Sequence, residues 1–301
     1  MKGKTSTFQK EKRYPYLLIL PSVLLILGLT VIPTIYVFDL SLQNLNFARP
    51  FDTGYVGLAN FRRLLTQDPN FFPALWFTVQ WVVAAVSSQV VFGMMLALAL
   101  NSKFKFRGFA RAVSFIPWAV SGVLTATLWS LIYNQHVGPL NDILVRLGAL
   151  ERGVAWVSNP SFSFLALILA ETWRGVPFFA ITILAALQSI PQELYEACEI
   201  DGGEAVAKFR YVTLIYLKDT IILTTLLRCI WTFNNVDMIF TMTGGGPHFS
   251  TTTLTIYMVK TAVVQGNYGY GSAIGVFAFM ILIVFASIYI KASRFGSGVD
   301  G

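Results

Sequence analysis

Apolar stretches of bilayer length alternate with short polar segments along this chain. Residues 17–38, 74–100 and 261–290 are free of charge, and a fourth stretch, 112–145, is uncharged as far as Asp142. A helix needs about 20 predominantly apolar residues to cross a hydrocarbon core, so these four stretches predict transmembrane helices. Two more, 162–187 and 220–233, carry Glu171, Arg174 and Arg228. Charges at mid-bilayer are costly, but helices of a polytopic bundle can turn them away from lipid. Both are therefore read as spans, the alternative being amphipathic or re-entrant segments. The pattern predicts an all-α, polytopic membrane protein with six transmembrane helices.

The polar segments predict smaller elements. Residues 1–16 form a basic, solvated arm, helical where residues 10–14 approach the first span. At 56–65 the apolar spacing suggests a short surface helix with Phe61, Leu64 and Leu65 turned inward and Arg62 and Arg63 toward headgroups. The polar stretch at 189–216 reads as helix, turn, helix. Pro191 suits a first helical turn, Glu193 and Glu196 favour the positive end of the dipole, and Asp201-Gly202-Gly203 supplies the break. Small Ala197 and Cys198 beside Glu196 give a face that another protein can approach closely, while Gly202 lets the helix project; the alternative is a plain polar loop.

Composition agrees with a membrane location, since 55% of residues are hydrophobic and 12% charged, against about 25% charged in soluble domains. The first apolar run exceeds a signal-peptide core, and no small-residue cleavage site follows it, so it is read as a retained span. Lys2, Lys4, Lys10, Lys12, Arg13, Lys103, Lys105, Arg107, Arg111, Lys208, Arg210, Lys291 and Arg294 fall on one side of the predicted membrane. Arg49, Arg62, Arg63, Arg146, Arg152 and Lys260 fall on the other. The positive-inside bias then puts both termini and the Glu196 segment in the cytoplasm. The net charge of +7 is spread over several loops, not gathered into the basic patch that a nucleic acid would need.

Several short motifs together resemble the binding-protein-dependent ABC sugar permeases, specifically the first-type subunit of the oligosaccharide and polyol class. They are Gln188-Ser189-Ile190-Pro191, Glu193-Leu194-Tyr195-Glu196-Ala197, Asp201-Gly202, Phe209-Arg210-Tyr211-Val212-Thr213-Leu214 and Thr243-Gly244-Gly245-Gly246-Pro247, with Gly57-Leu58-Ala59-Asn60-Phe61 as a weaker one. Cys198 replaces the second alanine of the Glu-Ala-Ala loop, and Ile215 and Asp219 stand where the family usually has prolines, which permits a straighter start to the fifth span. The resemblance implies one transmembrane domain at 17–294 with a coupling loop at about 190–217, a cytoplasmic arm at 1–16 and a tail at 295–301. It also implies its partners: a second related permease, two cytoplasmic ATP-binding subunits and an external solute-binding protein. ATPase coupling falls to Glu196, Ala197, Cys198, Asp201 and Gly202.

Two polar stripes flank that loop. Glu171, Arg174, Gly175 and Phe178 stand at i, i+3, i+4 and i+7 in the fourth span, and Arg228, Trp231, Thr232 and Asn235 repeat the spacing in the fifth. That spacing stacks each set on one helical face. A sugar offers hydroxyls to charged or amide groups and apolar C–H faces to rings, so a mid-membrane passage needs this mixture. In the maltose-transporting relatives, the resemblance implies, sugar contacts come from equivalent faces, with Gly175 and Asn235 keeping the family residue. The alternative is that Glu171 and Arg174 neutralise each other while Arg228 holds the partner permease, Phe178 and Trp231 being packing residues.

Enzymatic chemistry is not indicated. His136 and His248 have no second ligand at metal spacing, and Cys198 and Cys229 form neither a disulfide framework nor a metal pattern. The glycine run at 244–246 ends in Pro247 rather than the Gly-Lys of a phosphate loop, so the chain cannot itself hydrolyse ATP. No cofactor or metal is expected. The reading is a transport subunit importing a sugar, with a permease for another solute or a membrane-embedded enzyme as alternatives.

Overall fold

The computed structural model describes residues 5–293, with side chains from residue 15 onward. Residues 1–4 of the basic arm, Arg294 and the tail at 295–301 lie outside the described residues. Within them the chain is nearly all helix, as the apolar pattern predicts, with one two-stranded ribbon.

Helix α1 (Thr5–Ile26) continues through a five-residue π-helical segment (Leu27–Val31) into α2 (Ile32–Ser41). The region read as a solvated arm is thus helical from Thr5 and continuous with the first span. Strands β1 (Gln43–Asn44) and β2 (Gly54–Tyr55) pair antiparallel, and α3 (Ala59–Thr66) follows. Then come α4 (Phe71–Asn101), α5 (Arg107–Ala119), α6 (Gly122–Ile132), α7 (Pro139–Arg146) and α8 (Pro160–Gln188). The polar stretch forms α9 (Gln192–Ile200) and α10 (Ala205–Lys208), which runs through a π segment (Phe209–Thr213) into α11 (Leu214–Phe233). Short α12 (Asp237–Met242) and α13 (Leu254–Val259), a π segment (Lys260–Val264) and α14 (Tyr268–Ser293) complete the chain.

Among the described residues, four helices are long and apolar enough to cross a membrane: Pro15–Ser41, α4, α8 and α14. The stretch predicted as one span at 112–145 is broken, α5 and α6 meeting at 97°. Val120 and Ser121 leave the helical region, and the Ser121 hydroxyl accepts from Leu124 N at 3.3 Å, starting a new helix. A capped N-terminus inside an apolar run leaves no trace in hydropathy, which is why the break was invisible. The fifth span corresponds to α11, which carries Lys218, Asp219 and Arg228. It passes through Ile215 and Asp219 without a break, as the absent prolines allow. The last predicted span begins late: 260–264 belongs to the preceding helix, and Gly266 (φ +69°) turns the chain before α14.

Two compact units are resolved by contact, Met1–Asp68 with Met258–Phe277, and Pro69–Tyr257 with Ala278–Gly301. In the first, Asp39 accepts from Tyr55 and from Gln43 Nε2 (2.6 Å), and Asn60 Nδ2 donates to the carbonyls of Ser41 and Gln43 at 2.9 Å each. Tyr270 bonds Asp68, and the Arg63 guanidinium lies 4.5 Å over its ring. Helix α3 buries Leu64 as expected, but Leu65 is 43% exposed, so its inner face is narrower than the sequence suggested.

The second unit is built on α4 packed along α8, with α11 against both. One core layer joins Phe77, Trp81 and Ala85 of α4 to Leu167 and Ala170 of α8 and to Met238 and Ile239 of α12. A second joins Ala97 and Leu100 to Phe179, Ile183 and Leu187, and to Val212 and Leu217 at the start of α11. Polar bonds stitch the same helices together: Trp81 Nε1 donates to the Thr232 carbonyl (3.2 Å), and Ser88 and Thr172 hydroxyls meet at 2.7 Å.

Candidate functional site

Between the two core layers, α4, α8 and α11 share a charged cluster centred on Glu171, which is fully buried. Its Oε1 receives Arg228 Nη2 at 2.7 Å and Arg174 Nη2 at 3.3 Å; its Oε2 receives Arg174 Nε at 3.2 Å and Asn235 Nδ2 at 3.3 Å. The Arg228 side chain is buried beside it and Arg174 is partly exposed. A buried carboxylate is tolerated only when paired and hydrogen-bonded, and here four donors from three residues meet that need. The i, i+3 pairing of Glu171 with Arg174 exists as the sequence alternative supposed, and Arg228 joins the same cluster.

One participant was missed. Gln89 of α4 is fully buried and accepts from Arg228 Nε at 2.7 Å while donating to the Glu171 backbone carbonyl at 2.9 Å. Its one sequence signal is an amide in an otherwise charge-free span, which several other positions share. Gly175 makes this crossing possible: a Cβ there would overlap the Gln89 carboxamide and Arg228 Nη2.

The cluster opens into a cavity of about 380 Å³ lined by Glu171, Arg174, Arg228, Trp231, Thr232, Asn234, Asn235, Val236 and Asp237. Six of the eight stripe residues thus share one wall. Gly175 lies behind them, and Phe178 stands beside Trp231, ring centres 5.2 Å apart and tilted 59°. Trp231 remains 48% exposed, unlike a core tryptophan such as the buried Trp81. The hydroxyl of Thr232 is buried yet has no hydrogen-bond partner among the described residues, an orphan that a hydroxyl-bearing ligand could satisfy. Charged donors, an acid, amides and an exposed indole face together can hold a polyhydroxylated molecule, but they contain no nucleophile with an adjacent base.

The second candidate region is α9 and its turn. Leu194, Tyr195 and Cys198 pack toward the second core layer, and Tyr195 and Thr213 hydroxyls meet at 3.0 Å. The opposite face presents Glu193, Glu196, Ala197 and Ile200, the last 87% exposed. Cys198 therefore turns inward, away from the face on which the sequence set it beside Ala197, because the 3.6-residue period that buries Leu194 also buries position 198. Asp201 ends α9, and Gly202 adopts φ +79°, a left-handed value that glycine takes without strain. Gly203 N then bonds the Cys198 carbonyl at 2.7 Å, and Lys208 pairs with Glu199 across the turn. Val206, 79% exposed, stands beyond the bend from Ile200.

His136 is exposed, and no group of three or more potential metal ligands occurs among the described residues. Thr243 and the glycine run close a turn, Gly244 and Gly245 having φ +57° and +82°.

The chain is 36% identical over 95% of both chains to the trehalose/maltose transport system permease protein MalF of Thermococcus litoralis. It is 32% identical to the sulfoquinovosyl glycerol transport system permease protein SmoG of Agrobacterium fabrum, over 92% of this chain and 89% of that one. In fold it is similar to a chain of a bacterial alginate ABC transporter crystallised with its alginate pentasaccharide-bound periplasmic protein, with a TM-score of 0.83, 22% identity and coverage of 97% of this chain and 98% of that one. Residues 89–294, which hold both stripes and the α9 turn, match the family model of the binding-protein-dependent transport system inner membrane component, and the chain belongs to that family.

Proposed function

We propose that this chain is one of two related permease subunits of an ATP-driven sugar importer, that both its termini face the cytoplasm, and that the α8–α11 cavity is its share of the translocation path. An external binding protein delivers the sugar; two cytoplasmic ATPases drive the switch of the cavity between the two sides. The observation carrying this reading is the wall that joins Glu171, Arg174, Arg228, Thr232 and Asn235 to the exposed indole of Trp231, in a chain similar to a trehalose/maltose transport system permease. Hydroxyls take the charged and amide groups, and sugar C–H faces stack on the indole.

Force enters at α9. The outward face of Glu196, Ala197 and Ile200, with Asp201 and Gly202 at the bend, supplies a projecting knob for an ATPase socket, while Leu194, Tyr195 and Cys198 root it in the bundle. Nucleotide that binds the closed ATPase pair more tightly than the open one shifts the permease by that difference in affinity. Reconstitution of the full complex in proteoliposomes, with labelled maltose, trehalose and maltotriose outside and ATP inside, tests the assignment. ATP-dependent uptake of at least one is expected; uptake of none, with a competent complex, overturns the carbohydrate reading.

A further inference from the structure

We propose that Gln89 is a positioning residue for the passage: it sets which guanidinium donors of Arg228 face the cavity, and through them the affinity for the transported sugar. This rests on the α8–α11 cavity being the path. An arginine has five N–H donors in a rigid fork, and rotation about its last bonds decides where they point. Gln89 takes the Nε donor at 2.7 Å and Glu171 takes Nη2 at 2.7 Å. Two acceptors on adjacent sides of the fork leave the guanidinium one orientation, and the donors that remain belong to a residue on the cavity wall.

The amide itself is fixed. Arg228 is donor-only and the Glu171 carbonyl is acceptor-only, so the Oε1 and Nε2 of Gln89 can be assigned one way round. Burial keeps competing water from the amide, and the clearance at Gly175 lets Gln89 and Arg228 reach each other across α8. A residue that served packing alone would need neither the clearance nor polar atoms, and an apolar side chain of similar volume would replace it.

The test is transport kinetics of the reconstituted complex, with KM taken on whichever of labelled maltose, trehalose and maltotriose the wild type imports. Gln89→Met keeps the volume and removes both bonds. KM is expected to rise about tenfold or more, the scale of losing a bond to a charged group, with kcat within about threefold. Gln89→Glu keeps an acceptor for Arg228 Nε and should recover most of the affinity, a rescue that packing does not give. Gly175→Ala, whose added Cβ overlaps both the amide and Arg228 Nη2, displaces the guanidinium with every donor intact and should raise KM likewise. The inference is overturned if KM stays within about twofold of wild type in Gln89→Met or Gly175→Ala, or if Gln89→Glu is no better than Gln89→Met. Should Trp231→Ala also leave KM unchanged, the path assignment itself fails; should it raise KM while the Gln89 variants do not, the positioning role alone fails.

Discussion

Arg228 Nη2 and Glu171 Oε1 lie 2.7 Å apart with both side chains buried, one on α11 and one on α8. The two helices lie on either side of the α9 turn in sequence, so this pair ties together the spans that enter and leave the proposed coupling segment. Removing the carboxylate leaves two guanidiniums, one of them buried, without their counter-charge. Glu171→Gln should therefore destabilise the bundle by about 3–5 kcal/mol, read as lower yield and lower melting temperature of the purified complex. Glu171→Leu with Arg228→Met should recover more than half of that loss, because the partly exposed Arg174 can still reach the cavity. Equal loss in the single and double variants would show that the pair does not hold the helices.

Trp231 separates a path from a packed core. Its indole is half exposed and touches Phe178 at one edge of the cavity. Trp231→Ala should lower sugar uptake at least about fivefold, since an aromatic contact of this kind contributes roughly 1 kcal/mol or more beyond area, with subunit stoichiometry of the purified complex unchanged. Collapse of the complex, or unaltered uptake, would return Trp231 to packing.

Glu196→Lys with Ile200→Asp reverses the charge and removes the apolar tip of the exposed α9 face without touching Leu194, Tyr195 or Cys198. Sugar-stimulated ATP hydrolysis should be lost while the chain still inserts and pairs with the second permease, because the rooted face is intact. Retained stimulation in proteoliposomes would remove α9 as the site of coupling.

Much of this was legible in sequence because the membrane imposes a simple rule. Apolar length alone identified the Pro15–Ser41 span, α4 and α14, α8 needing its charges turned away from lipid, and the i, i+3, i+4, i+7 spacing found six residues that do share a wall. Part of what escaped depends on a contact between distant residues, part on local geometry that hydropathy does not carry. Gln89 meets Arg228 139 positions away, and no local pattern marks it. The α5–α6 bend turns on one serine cap. Cys198 was set on the outer face because its small size suits an interface, whereas the helical period that buries Leu194 decides the matter.

Gly202 gives a backbone test of the same turn. At φ +79° an added Cβ is strained whatever the space around it, at a cost of roughly 1–2 kcal/mol. Gly202→Ala should lower ATPase coupling partially and the melting temperature slightly, since the turn is exposed and can relax; Gly203, close against Cys198, should tolerate alanine less well. Equal tolerance at both positions would mean that the bend is set elsewhere.

Sidedness can be tested at two exposed residues on either side of α8 in sequence. Val137 lies 79% exposed in the segment before this span, and Ile200 87% exposed in the segment after it. A single crossing by α8 (Pro160–Gln188) puts them on opposite membrane faces, and the basic residues Lys208 and Arg210 beyond Ile200 favour the cytoplasm for that end. In a chain carrying Cys198→Ser and Cys229→Ser, Val137→Cys should react with a membrane-impermeant maleimide in intact cells. Ile200→Cys should react only after permeabilisation, because the reagent must reach the inner face. Labelling of Ile200→Cys from outside would invert the topology and place the α9 knob beyond the reach of any cytoplasmic ATPase.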